Sequence, residues 1–160
     1  MKGKKQEFGP SNPPSRIHLD IARGRRRLET LMGKSFYPVF TPPWNRCNGN
    51  TLELLKKLGY HAVSRSYNSQ PPSPKGLPDF QVNVDLHTRK ERNPLTGWDN
   101  LFSEFKQTLL NGLCGVMIHH QRMNDAAFDF LAVFLKKITQ QKGLFTVHFK
   151  DMSENRIQVQ

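Results

Sequence analysis

The chain has 160 residues, about the length of one domain and enough to bury a sizeable core. Hydrophobic residues make up 36% and charged residues 23%, which argues against a disordered chain, and no apolar run approaches the ~20 residues that cross a bilayer. The formal charge of +11 raises nucleic acid as a partner, whereas two cysteines, Cys47 and Cys114, are too few for a disulfide framework.

The opening stretch, MKGKKQEFGPSNPPS, is charged and lacks the apolar core of a secretory signal. A cytoplasmic location and reduced cysteines are therefore the expectation. Residues 1–14 carry Gly9-Pro10 and Asn12-Pro13-Pro14 and read as a flexible segment with little to bury. Ser15 is placed to cap a helix that runs to about Met32 and stops at Gly33. Ile17, Ile21, Leu28 and Leu31 form one apolar stripe on it, by helical spacing. The RGRRR run at 23–27 lies beside or opposite that stripe, and reads either as a phosphate-binding patch or as a solvated helix face. No recognised nucleic-acid module accompanies it.

FYPVFT (36–41) reads as a short buried strand ended by Pro42-Pro43. A helix opens at Asn50 or Thr51 and closes at Gly59, and HAVSRS (61–66) is a second strand. YNSQPPSPKGLP (67–78) is long enough to belong at a functional rim. DFQVNVDLH (79–87) alternates apolar and polar residues as a third strand. Trp98, Leu101, Phe102, Phe105 and Leu109 make a second helical stripe ended by Asn111-Gly112. LCGVMIH (113–119) is a fourth strand, Asn124 caps a helix carrying Ala127 to Ile138, and LFTVHF (144–149) is a fifth strand. A polar tail follows from 151 to 160. The order αβαβ(loop)βαβαβ implies parallel strands with helical crossovers in a single domain.

In such sheets functional residues gather at the C-terminal ends of strands. Three polar corners fall there: TPPWNR after the first strand, DLH at the end of the third and HH at the end of the fourth. His119 and His120 point to opposite faces of their strand, so one of them can face the ligand-binding end. It reads as a structural hydrogen-bonding residue or as a general acid. Asp85 and His87 share a face, either as a pair that fixes a tautomer or as surface residues at a frayed strand end. Asp85, His87 and His119 match no strong metal signature. Pro42 and Pro43 make a rigid exit. Trp44 offers a flat surface for a sugar, and Asn45 and Arg46 supply donors; the plainer reading makes Trp44 core and Arg46 surface.

Taken in order, EFG, VFTPPWNR…LELLKKLGYHAVS, VNVDLH and GVMIHH…DAAFDFLAVFLKKI resemble the polysaccharide deacetylase family, and its divergent bacterial branch above all, over roughly residues 5–150. The resemblance implies a deformed (β/α) barrel that removes acetyl groups from a carbohydrate. In the family a divalent metal polarises the acetyl carbonyl, an aspartate is the base and a histidine the acid. Carried over, the family's arginine-proline motif falls on Thr41-Pro42-Pro43-Trp44, with Thr41 where arginine is expected and Arg46 as a substitute orienting residue. Pro42, Pro43, Trp44 and Asn45 would line the substrate. The leucine-x-histidine motif falls on Met117-Ile118-His119, making His119 the candidate acid, with Asp85, or His87 if the alignment shifts by two, as its partner.

The departures are as informative. The paired aspartates that supply the family's base and one metal ligand are absent, as is its histidine-x-x-x-histidine metal motif. The expectation is therefore a C-terminal portion: a parallel-stranded, partial deformed (β/α) barrel lacking its first strands, inactive alone and binding no metal of its own. A zinc-like divalent metal is expected only in a complete family member. Partners would be the carbohydrate and either the missing N-terminal half or a second copy, since a barrel without its first strands leaves unpaired edges. No membrane partner is expected. The alternatives are a non-catalytic carbohydrate-binding remnant that uses Trp44, and a basic nucleic-acid-binding protein that uses Arg23 to Arg27.

Overall fold

The computed structural model describes residues 7–86 and 91–153. It is mixed α/β with short parallel strand pairs, and divides into two compact units between Val82 and Asn83.

In the first unit, helix α1 (Pro14–Met32) begins with Pro13 at the N-cap position and Pro14 in its first turn. Ser15 is therefore inside the helix and does not cap it, because the Pro-Pro pair already sets the extended-to-helical transition one residue earlier. Gly33 ends the helix with φ +52°. Strand β1 (Val39–Phe40) pairs in parallel with β2 (Ala62–Val63), with Val39 opposite Ala62 and Phe40 opposite Val63. Between them runs α2 (Gly49–Lys57), whose first turn is held by the Asn48 side chain accepting from the Thr51 amide at 2.8 Å. Parallel bridges Val63–Asp79 and Ser66–Val82 add the stretch 79–82 beside β2.

The core of this unit is Ile17 and Ile21 from α1, Leu52 and Leu55 from α2, and Cys47, Tyr60, Val63 and Leu77. Leu52, Leu55 and Val63 have no exposed surface, and each such side chain contributes roughly 1.5–3 kcal/mol by leaving water. The apolar stripe of α1 is covered only along its first half: Leu28 is 44% and Leu31 71% exposed.

The basic run divides in the same region. Arg25 donates from Nε to Glu29 at 2.7 Å and from Nη1 to the Leu58 carbonyl, and lies 5.5 Å from the centre of the Tyr60 ring. Gly59 accommodates it, since a Cβ there would stand 3.1 Å from Arg25 Nη1 on a backbone with φ +74°. Arg23, Arg26 and Arg27 are exposed.

In the second unit, β3 (Val84–Asp85) pairs in parallel with β4 (Val116–Met117), with Val84 opposite Val116 and Asp85 opposite Met117. The crossover is α3 (Pro94–Leu110), capped by Asn93. Asn124 caps α4 (Asp125–Thr139) as its sequence position predicts, accepting from the Ala127 amide at 3.0 Å. Aromatic contacts join the two helices: Trp98 meets Phe130 at 5.3 Å and Phe105 meets Phe134 at 5.0 Å between ring centres. Among the described residues of this unit, Val84, Leu101 and Thr108 are buried.

The predicted strand at 144–149 does not form. Residues 144–148 belong to no strand, and Phe149 opens a short helix, α5 (Phe149–Ser153). The reason is local: the His148 amide donates to Asp151 Oδ2 at 3.2 Å, a side-chain bond that turns the chain at the point where a ladder would need that amide. The predicted third strand is divided, with 79–82 beside β2 and Val84–Asp85 on β4; His87 lies outside the described residues.

Candidate functional site

The structure places the sequence-predicted residues in two sets, one per unit. In the second unit, Asp85 ends β3 and His119 follows β4 by two residues. Parallel pairing carries both to the C-terminal ends of adjacent strands, and His119 Nε2 lies 3.3 Å from Asp85 Oδ2. Both side chains are about one-third exposed, at 34% and 36%. The pair is thus accessible to a ligand and screened by solvent, so its worth is orientation more than stability. The Leu86 amide reaches the Met117 carbonyl at 3.3 Å, and the Asn83 side chain accepts from the Gly115 amide at 3.0 Å. Both bonds hold the two strand ends in register. His120 begins a 3-10 turn, His120–Arg122, and is exposed.

A carboxylate on one imidazole nitrogen fixes the orientation of the ring. This arrangement suits a general acid oriented by a carboxylate. Among the described residues no three His, Cys, Asp or Glu side chains come together. The described donors here, one carboxylate and one imidazole, are fewer than the three protein ligands that a catalytic zinc takes.

In the first unit, Pro42 is buried and Pro43 opens a 3-10 turn, Pro43–Asn45, immediately after β1. Trp44 and Asn45 both adopt the left-handed backbone region, with φ +60° and +54°. Two consecutive non-glycine residues there store strain, and such strain gathers where a side chain must be aimed. The result is a Trp44 side chain with the residue 55% exposed, against the plainer reading that made it core. Arg46 is exposed, and Thr41 is exposed as well.

Sequence reasoning missed the strongest polar feature of this unit. Arg65, on the stretch after β2, has a side chain only 1% exposed and donates from Nε and Nη2 to Asp79 Oδ2 at 2.9 and 2.7 Å. Asp79 is 12% exposed. Burial is the main cause that raises the Cys47 thiol pKa; Arg65 pulls it down, and Asp79 pushes it up by less. The signal available in the sequence was an arginine inside an otherwise apolar and small strand, HAVSRS, followed by an aspartate where the next strand begins.

Among the described residues no helix is long and apolar enough to cross a membrane. Comparison of the chain with protein-family models, with curated proteins and with solved structures finds no match.

Proposed function

We propose that the chain is the C-terminal portion of a polysaccharide deacetylase-like hydrolase, with the general acid and its carboxylate partner but without the base and the metal ligands. The observation that supports this reading is the His119–Asp85 pair, 3.3 Å apart at the C-terminal ends of two parallel neighbours. An acid requires a proton held at one nitrogen and a fixed ring, and the carboxylate supplies both conditions. Trp44, Asn45 and Arg46, with Pro42 and Pro43 behind them, would present the saccharide surface of the first unit. A partial deformed (β/α) barrel would be the frame. The base and metal are cooperating groups, and losing them together costs orders of magnitude in rate, so the chain alone is expected to release no acetate.

The test is a titration of the metal-free chain with an acetylated chito-oligosaccharide, followed by 1H–15N NMR. Saturable shifts around Asp85 and His119 that are lost in His119→Ala are the expected result. No shift at any saccharide concentration would overturn the reading.

A second reading, a non-catalytic carbohydrate-binding protein, is favoured by the exposure of Trp44. It predicts binding lost in Trp44→Ala and indifferent to His119→Ala. Nucleic-acid binding through Arg23, Arg26 and Arg27 would instead fall steeply with salt and vanish on charge reversal of those three residues.

A further inference from the structure

Helix α3 carries more apolar surface than its own unit covers. On one side Leu101 and Thr108 are buried, and Trp98 and Phe105 meet Phe130 and Phe134 of α4. About a quarter turn further round, Leu95, Phe102 and Leu109 recur at seven-residue spacing and so align in a single row along the helix. This row is open to solvent: Leu95 is 73%, Phe102 63% and Leu109 42% exposed, and Leu110 beside its end is 78% exposed. Trp98 stacks on Phe102 at 6.0 Å between ring centres, which makes the middle of the row a broad aromatic surface. Single exposed apolar side chains are ordinary, whereas a continuous row about 21 Å long on one helix marks a contact surface.

The charges beside the row say what fits it. Asp99 and Lys106 are also seven residues apart, so both stand on the same flank of the row, and both are exposed. They lie about 10 Å apart along the helix, too far to pair with each other. Neither forms an ion pair or a side-chain hydrogen bond among the described residues.

The two charges are placed symmetrically about Phe102 and Ser103, at the middle of the row. A second α3, turned end for end by a two-fold axis at that point, brings its Lys106 to Asp99 and its Asp99 to Lys106, because an antiparallel two-fold keeps each flank on its own side. The same rotation sets Phe102 beside Phe102, and Leu95 against Leu109 and Leu110. A parallel pair would instead bring Asp99 to Asp99 and Lys106 to Lys106, and like charges repel. Net charge permits the approach as well. Residues 83–152 hold nine Lys and Arg against seven Asp and Glu, so most of the +11 lies elsewhere in the chain.

We infer that the exposed face of α3 is a self-association surface, on which a second copy of this chain docks by antiparallel, two-fold α3–α3 pairing. Phe102 lies at the axis, Leu95, Leu109 and Leu110 close the two ends, and two Asp99–Lys106 bridges fix the register. The inference uses neither the strand edges nor the saccharide reading and stands apart from both. A two-helix contact of this extent falls at the small end of specific interfaces, below about 1,200 Å². The dimer is therefore reversible, with a Kd of about 10–100 μM.

The experiment is sedimentation equilibrium of the full 160-residue chain from about 5 to about 500 μM, at physiological salt so that distant charges are screened. Expected is a monomer–dimer equilibrium that Phe102→Ser weakens by about tenfold or more. Asp99→Lys and Lys106→Glu should each weaken it about tenfold, since either change replaces two attractive pairs with two repulsive ones. An equimolar mixture of the two charge variants should recover dimers of parental affinity, because one bridge is then native and the other only reversed in sign. That recovery also shows that both variants fold.

A chain that stays monomeric throughout would overturn the inference and leave the face to a different partner. A dimer indifferent to both charge reversals would mean association through another surface, such as the strand edges, and would overturn it as well. Weakening by each reversal without recovery in the mixture would overturn the antiparallel pairing on which the inference stands.

Discussion

At the scale of single residues, the buried Arg65–Asp79 pair is the most consequential contact in the first unit. Its geometry is good, but Arg65 Nη1 and Asp79 Oδ1 are buried without partners, so the desolvation of both ions is only partly offset. Arg65→Met would leave the Asp79 carboxylate without its buried counter-ion, and we expect a loss of about 3–5 kcal/mol in urea unfolding. Arg65→Met combined with Asp79→Leu should recover most of that loss. A double variant as unstable as the single one would show that the pair holds the fold by more than charge. Cys47 and Tyr60 give a pH dependence of defined sign. Burial pushes both pKa values up, so the unfolded chain releases these protons first as pH rises. The stability they contribute is complete below the ordinary thiol value, about 8.5, and is lost as pH climbs through the raised folded values. Thermal midpoints should thus fall as pH rises above about 8.5, less steeply in Cys47→Ala than in the parent chain. A flat profile would contradict the burial of the thiol.

At the scale of elements, α1 shows where periodicity stops being informative. Ile17, Ile21, Leu28 and Leu31 lie on one stripe, and their spacing alone treats them alike. The structure does not: Ile21 is 2% exposed and Leu31 71%. A stripe states which side of a helix is apolar, but the neighbours decide how far along the helix it is covered. Leu55→Ala in the core should cost about 2–5 kcal/mol, whereas Leu31→Ala should stay within about 0.5 kcal/mol, both measured by urea unfolding. Helix starts were more legible. Asn124 was readable as a cap from its place before an apolar run, while Asn48, two to three residues before the expected start, serves α2 in the same way. Replacing either with alanine should cost about 1 kcal/mol, seen as a lowered midpoint without a change in denaturant slope. Strands were legible as places and not as lengths. Among the described residues, each of the four that form is two residues long, because a strand's extent is set by the partner beside it and not by its own β-propensity. LFTVHF has the composition of a strand and forms none, the Asp151 side chain having taken the His148 amide.

At the scale of the whole molecule, the candidate acid pair depends on chain topology. Asp85 and His119 are 34 positions apart, and nothing local brings them together. A parallel crossover through α3 does, because parallel strands put their C-terminal ends side by side. The same architecture supplies no third ligand among the described residues, and this leads to a prediction for the protein as purified. Zinc should neither bind stoichiometrically nor raise the melting temperature, as measured by metal analysis and thermal unfolding. Stoichiometric zinc lost in His119→Ala or Asp85→Ala would instead establish a metal site built on this pair, and would make hydrolysis by the chain itself the leading reading.

The sequence by itself determined the basic charge, the four longer helices, the parallel sense of the strands and the polar corners at strand ends. These follow from composition, from the helical and strand periods and from proline, glycine and asparagine chemistry, all of which act over a few residues. Tertiary structure decided the rest: how far each strand extends, which half of the α1 stripe is covered, that Arg25 packs on Tyr60 while its neighbours face solvent, and that Arg65 meets Asp79 beside Cys47. Those outcomes depend on burial and on pairing between distant segments, and the free energy of a buried charge or an unpaired amide is set by what surrounds it, not by its place in the chain.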